Sequence, residues 1–256
     1  MPQAPTPATP NWLNRRFGRI AYHRSEGKSP GVMFLGGFMS DMTGIKATAL
    51  ERHCRETGRA FLRFDYRGHG QSDGRFEDGT IGSWLEDATA VFDELTSARQ
   101  ILVGSSMGGW IAVLLARARP ERVHALIGLA AAPDFTEDLS KSGLDSKARE
   151  ALERDGVAYL PSDYGDRPYP ITRALIEDGR SHLVLRSTIG FSRPVHLIQG
   201  MRDPDVPWVT ALRLAECLES QSVVVTLVKD GDHRLSRPED LARLFDAVDA
   251  MAAAPD

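Results

Sequence analysis

Residues Gln100-Ile-Leu-Val-Gly-Ser-Ser-Met-Gly-Gly-Trp110 constrain this chain more than any other stretch. They read as a short buried strand, a tight turn and the opening of a helix. The turn, Gly104-Ser105-Ser106-Met107-Gly108, has the pattern G-x-S-x-G. In a strand–turn–helix setting that pattern holds a serine on a strained turn with its hydroxyl exposed at the sheet edge. A side chain at either flanking glycine would clash where the two backbones approach. Two other segments match the pattern, Gly27-Lys-Ser-Pro-Gly31 and Gly70-Gln-Ser-Asp-Gly74. Both have polar residues ahead of the serine, so Ser29 and Ser72 are expected in turns or loops. Ser106 alone has an apolar strand before it and an apolar helical pattern after it, which makes it the candidate nucleophile.

Around this turn, short apolar runs alternate with helical patterns. Strands are expected at Val32–Gly36, Ala60–Asp65, Ile101, Val123–Ala131, Val195–Gln199 and Val223–Val228. Helices are expected at about 48–57, Ile81–Leu95, Met107 to about Ala118, Pro207–Ser220 and Pro238–Met251. The second of these has Trp84, Leu85, Ala88, Val91, Phe92 and Leu95 at helical spacing. Alternation of this kind implies a mainly parallel sheet covered by helices on both faces. Residues from about 133 to 192 break the rhythm: they are rich in charge, carry helical patterns at 145–154 and 171–178, and lack a strong strand. So long an insertion at the strand ends is expected to be a helical lid.

A serine hydroxyl needs a base, and the base needs a third group to hold its tautomer. With a serine turn of this type the chain order is Ser, then acid, then His. Strand Val195–Gln199 is followed by Gly200-Met-Arg-Asp-Pro-Asp-Val-Pro207, and strand Val223–Val228 by Lys229-Asp-Gly-Asp-His233. Both loops lie at carboxyl ends of strands, where open α/β sheets build their sites. His233 is the one histidine after the acid loop and is the candidate base. Asp203 is the preferred acid. Asp205 competes but suits a turn that bonds its own backbone, and Asp134 is the outside candidate. The oxyanion of the tetrahedral intermediate needs preorganised donors: Met107 N–H, from the residue after the nucleophile, and Phe38 N–H, from Leu35-Gly-Gly-Phe-Met39.

Other polar residues read more plainly. Asp65 is expected to fix a loop, His69 and His182 to sit at the surface or behind the pocket, and Trp110 in the core. Arg149, Arg154 and Arg173 are expected on solvated faces of the insertion. Asp230, Asp232 and His233 lack a second histidine and suit a turn better than a metal site. No metal or organic cofactor is implied.

Composition narrows the classes further. The chain has 256 residues with a formal net charge of −4, and no basic stripe supports nucleic-acid binding. No apolar run is long enough to span a bilayer. Residues 1–12 form a Pro-rich tail, disordered or extended, without the basic start and apolar core of a secretory signal. Cys54 and Cys217 are far apart and are expected as reduced thiols in a cytoplasmic protein. A dinucleotide site is disfavoured because Gly68-His-Gly70 meets Asp73 where a third glycine is required. Dehalogenase chemistry would need a carboxylate at position 106.

Five segments then carry a resemblance. Gly36-Gly-Phe38, Arg63-Phe-Asp-Tyr-Arg-Gly-His-Gly-Gln-Ser-Asp-Gly74, Ile101–Trp110, His196-Leu-Ile-Gln-Gly-Met-Arg-Asp-Pro-Asp-Val-Pro-Trp208 and Asp232-His-Arg234 resemble the α/β-hydrolase superfamily. Within it they look most like the group of palmitoyl-protein thioesterases and mycophenolic acid acyl-glucuronide esterases, with its bacterial relatives. The likeness runs from about Asn14 to the last helix, and it implies the same triad of Ser106, Asp203 and His233.

The expectation is therefore an α/β-hydrolase fold: a mainly parallel central sheet flanked by helices, with a core of 13–132 and 193–256 and a lid at about 133–192. The expected activity is hydrolysis of thioesters or carboxylic esters, of small molecules or acylated proteins, through an acyl-enzyme. A small-ester carboxylesterase, an acyltransferase and a non-enzymatic binding module are the alternatives. The resemblance to mitochondrial enzymes does not extend to an Arg-rich presequence.

Overall fold

The computed structural model describes residues 9–161 and 168–254. The chain opens with strands β1 (Asn11–Arg15), β2 (Gly18–Ser25) and β3 (Lys28–Leu35). Helix α1 (Ile45–Glu56), strand β4 (Arg59–Phe64) and helix α2 (Ile81–Leu95) follow. Next come β5 (Gln100–Ser105), α3 (Met107–Ala118) and β6 (Val123–Leu129). The insertion holds α4 (Phe135–Asp138), α5 (Ser146–Asp155), β7 (Val157–Leu160), β8 (Tyr169–Thr172) and α6 (Arg173–Gly179). The chain closes with β9 (Val195–Gly200), α7 (Val209–Cys217), β10 (Val223–Val228) and α8 (Pro238–Ala253).

Eight strands form one sheet in the order β1-β2-β4-β3-β5-β6-β9-β10. From β4 to β10 all neighbours are parallel, and β1 and β2 are antiparallel additions at one edge. The order reverses at β3, so β5 and its turn lie centrally. All of β5 and β6 is buried, as parallel strands covered on both faces require. One core layer joins α2 and α3 to the sheet through Trp84, Trp110 and Phe92. The other joins α1 and α8 through Leu50, Leu244 and Val248.

Three features depart from the sequence reading. Strand pairing begins at Asn11, inside the stretch expected as a tail, and residues 1–8 of that tail lie outside the described residues. Ser29 lies within β3 rather than in a turn. The insertion contains an antiparallel pair, β7 with β8, where no strong strand was expected. Each is four residues long and β8 contains Pro170, so neither offers an alternation to detect.

Candidate active site

Ser106 sits between β5 and α3 with φ 54° and ψ −121°, a backbone region that side chains avoid. The neighbouring glycines show what holds it there. A Cβ on Gly108 would lie 2.1 Å from the Leu35 carbonyl oxygen, and one on Gly104 would lie 2.3 Å from the Gly108 carbonyl oxygen. These are backbone contacts that no rotamer change relieves. The backbone around Ser106 is also tied to β6 and the chain beyond it: its N–H donates to Leu129 at 2.9 Å, and its carbonyl accepts from Ala132 at 3.1 Å.

His233 comes from the loop after β10. Its Nε2 lies 3.1 Å from Ser106 Oγ, and its Nδ1 lies 2.8 Å from Asp203 Oδ2. With Nδ1–H donating to the carboxylate, Nε2 presents a lone pair to the serine hydroxyl. The Asp203 side chain is fully buried, and donors surround both of its oxygens. Its Oδ1 accepts the N–H groups of Asp205 and Val206, each at 2.9 Å, and its Oδ2 also accepts from Gln199 Nε2 at 2.9 Å. The carboxylate of Asp203 thus closes the turn ahead of Pro207. Potential ligand atoms of Asp203, Asp205 and His233 lie within 4.8 Å of one another. Both oxygens of Asp203 already accept protein hydrogen bonds, an arrangement that fits an orienting acid better than a metal ligand.

Ser106, Met107, His233 and Phe38 line one cavity of about 1410 Å³. Met107 is the first residue of α3, so its N–H belongs to the set that lacks an intrahelical acceptor. The loop carrying Phe38 passes close to the nucleophile: a Cβ on Gly37 would lie 3.4 Å from Ser106 Cβ. That loop is held by Asp65, whose Oδ1 accepts from Met42 N–H at 2.6 Å and whose Oδ2 accepts from Gln71 N–H at 2.8 Å. Burial raises the Asp65 pKa, and the two N–H donors oppose the rise. The loop-fixing role expected of Asp65 is what the structure shows.

The Phe38 ring is the hub of an aromatic cluster. Phe76, Trp84, Phe135 and Tyr169 meet it edge-on with centroids 4.8 to 5.8 Å away. Phe135 and Tyr169 belong to the insertion, so one wall of the cavity is shared between the core and the insertion. Leu139, Leu160 and Ile171 extend that wall. The opposite side carries Lys46, Arg213 and Arg234.

The remaining candidates take structural places. Both Asp134 oxygens accept from the far end of the insertion, Val184 N–H at 2.8 Å and Leu185 N–H at 3.0 Å. Trp110 is buried and its indole donates to the His182 carbonyl at 3.0 Å. His182 itself sits beside Asp178. His69 is buried among aromatic rings, and desolvation lowers its pKa to about 4. Ser72 accepts from Ala21 N–H at 2.9 Å and donates to the Asp65 carbonyl at 2.6 Å.

Arg149 and Arg173 do not simply face solvent. Arg149 donates to the carbonyls of Leu144, Ser140 and Lys141, and Arg173 to those of Leu152 and Glu153. Arg154 pairs with Asp155. Both cysteines are unpaired, and burial pushes the Cys54 thiol up to about 12. Among the described residues no helix is long and apolar enough to cross a membrane.

Two residues near the site escaped the sequence reading. Gln199 was legible only as a polar residue ending an apolar strand. Lys46 belongs to no motif that would single it out.

Comparison with known proteins places this geometry in context. A family model described as Hydrolase_4, serine aminopeptidase S33, matches residues 31–153. The mitochondrial palmitoyl-protein thioesterase ABHD10 of Mus musculus is 41% identical over 246 residues, spanning 95% of this chain and 82% of the relative. Two solved structures superimpose closely. Mouse alpha/beta hydrolase domain-containing protein 10 gives a TM-score of 0.88 at 40% identity, covering 95% of this chain and 98% of that one. A putative hydrolase from Agrobacterium vitis S4 gives 0.89 at 45% identity, covering 92% and 94%.

Proposed function

The chain belongs to the α/β-hydrolase family of palmitoyl-protein thioesterase ABHD10, and from that premise we propose that it cleaves thioesters or carboxylic esters with Ser106, His233 and Asp203 as its catalytic triad. The observation that carries this reading is the continuous relay from Asp203 through His233 to Ser106, at 2.8 and 3.1 Å, on the wall of the large cavity.

In the proposed mechanism Ser106 Oγ attacks the acyl carbonyl as His233 Nε2 takes its proton. Asp203 holds the ring orientation and stabilises the imidazolium that forms. The N–H groups of Phe38 and Met107 meet the developing oxyanion. Collapse of the intermediate expels a thiolate or an alcohol, and His233 gives its proton to the leaving group or, behind a departing thiolate, to solvent, which leaves the ring neutral again. Water activated by His233 then releases the acid and restores the serine. A thiolate departs with little need of protonation, which suits thioesters. The acyl chain lies along Phe38, Phe135, Leu139 and Tyr169, and the insertion acts as the lid over it. The substrate is an acylated protein or a small ester. A cytoplasmic location completes the proposal, supported by the two unpaired cysteines.

The test is labelling by a fluorescent fluorophosphonate, followed by matched oxygen esters and thioesters of several acyl lengths. The folded wild type should label and Ser106→Ala should not. Hydrolysis by that variant should fall by about 10⁴-fold or more. A folded wild type that neither labels nor hydrolyses would place the chain among binding modules.

A further inference from the structure

Lys46 is the second residue of α1, and its side chain reaches the loop after β10. Its Nζ donates to the carbonyl oxygen of Arg234, the residue directly after His233. It lines the same cavity as Ser106 and His233. The loop that carries His233 is anchored at its start by strand-end contacts. Gly231 N–H donates to Val228 at 3.0 Å, and its carbonyl accepts from Arg202 N–H at 2.9 Å. Gly200 packs so close that a Cβ there would lie 2.4 Å from the Gly231 carbonyl oxygen. Beyond His233 the backbone turns sharply: Leu235 has φ 43°, and its N–H returns to Asp232 Oδ1 at 2.9 Å. The Arg234 carbonyl lies on this strained side of the loop, and Lys46 reaches it from another layer of the fold.

Holding an ammonium there is costly. Desolvation is the largest influence on Lys46. It lowers the pKa to about 8, with Arg234 adding to the fall and Asp232, Asp203 and Asp240 opposing it. The unfolded chain binds this proton more tightly than the folded one, so the protein gains stability as pH rises from about 8 toward the ordinary lysine value of 10.5.

We propose that Lys46 is a positioning residue for the reaction: by holding the Arg234 carbonyl it keeps His233 Nε2 within reach of Ser106 Oγ. The inference rests on the triad reading above.

The test uses Lys46→Met, which keeps the stem and removes the donor, and Lys46→Arg, which keeps a charged donor. For Lys46→Met, kcat should fall about 10- to 100-fold with KM within about twofold. Fluorophosphonate labelling of Ser106 should slow in parallel, and Tm at pH 7 should stay level or rise. Lys46→Arg should recover most of kcat. In the wild type, kcat should decline above about pH 8 as the ammonium becomes a weaker-binding amine. In Lys46→Arg that decline should be absent up to about pH 10, since arginine keeps its charge. An unchanged kcat in Lys46→Met would overturn the proposal, as would kcat and Tm falling together. If Lys46→Met fails to fold, the alkaline profiles of wild type and Lys46→Arg decide, and identical profiles overturn it. Failure of the wild type to label is a different result, which sinks the triad reading itself.

Discussion

The turn that carries Ser106 and the insertion that lines part of the same cavity are built to different standards. Around Ser106 the backbones of β3, β5 and α3 touch so closely that no Cβ fits at Gly104 or Gly108. The insertion has a small apolar cluster of its own, Leu144, Leu152, Ala158, Ile171 and Ile176, and relies on arginines that bond its own carbonyls. It also joins the main core through Leu175, Val184, Leu185, Ile189 and Phe191, and hydrogen bonds tie Trp110 to His182 and Gly82 to Asp178. Reaction geometry thus rests on strand ends and a helix start that cannot shift independently. The cavity wall proposed to meet the acyl group rests on side chains that can be exchanged. One fold can keep its chemistry while its substrate range changes.

Substitutions on each side should separate the two roles. The largest effect should come from Asp203→Asn. Its Oδ2 accepts from both Gln199 and His233, so an amide NH₂ there would face two donors. We expect kcat about 10⁴-fold lower with the fold intact by circular dichroism. A loss under tenfold would break the assignment of the acid. Gly108→Ala comes next and should act on the fold itself. The new methyl would meet the Leu35 carbonyl, and thermal or urea unfolding should show about 3 kcal/mol or more of lost stability. Tyr169→Ala should have the smallest effect and the most selective. It removes one ring packed on Phe38 at the cavity wall. We expect kcat/KM for long-chain thioesters to fall about tenfold, with acetyl esters within about twofold. Equal losses on both substrates would mean that the insertion also shapes the reacting centre.

Legibility in the sequence follows the same division. The strand, turn and helix around Ser106 were readable because apolar runs and obligatory glycines record close packing directly. Asp203 and His233 were readable as positions because each follows a short apolar strand, and the structure puts both within hydrogen-bond reach of the predicted partners. Strand β1 was not readable, since four of its five residues are exposed and an edge strand needs no apolar alternation. The β7–β8 pair was too short. Lys46 was hidden for another reason: its acceptor is a backbone carbonyl 188 residues away, and no residue type marks such a partner. Arg149 and Arg173 escaped in the same way, because carbonyl acceptors leave no trace in side-chain chemistry.

The sheet order has a consequence for how this protein is made. Strands β6 and β9 are neighbours, yet the whole insertion separates them in the chain. Their pairing must close a long loop, which slows this step relative to the pairing of β5 with β6. The serine turn is synthesised well before the acid and base loops. If Ser106 and His233 act as proposed, a ribosome-bound chain that has not yet reached His233 carries the nucleophile without its base, and a serine hydroxyl without a base is a poor nucleophile. Under the proposed triad, reactivity waits for strand β10 and the loop that follows it.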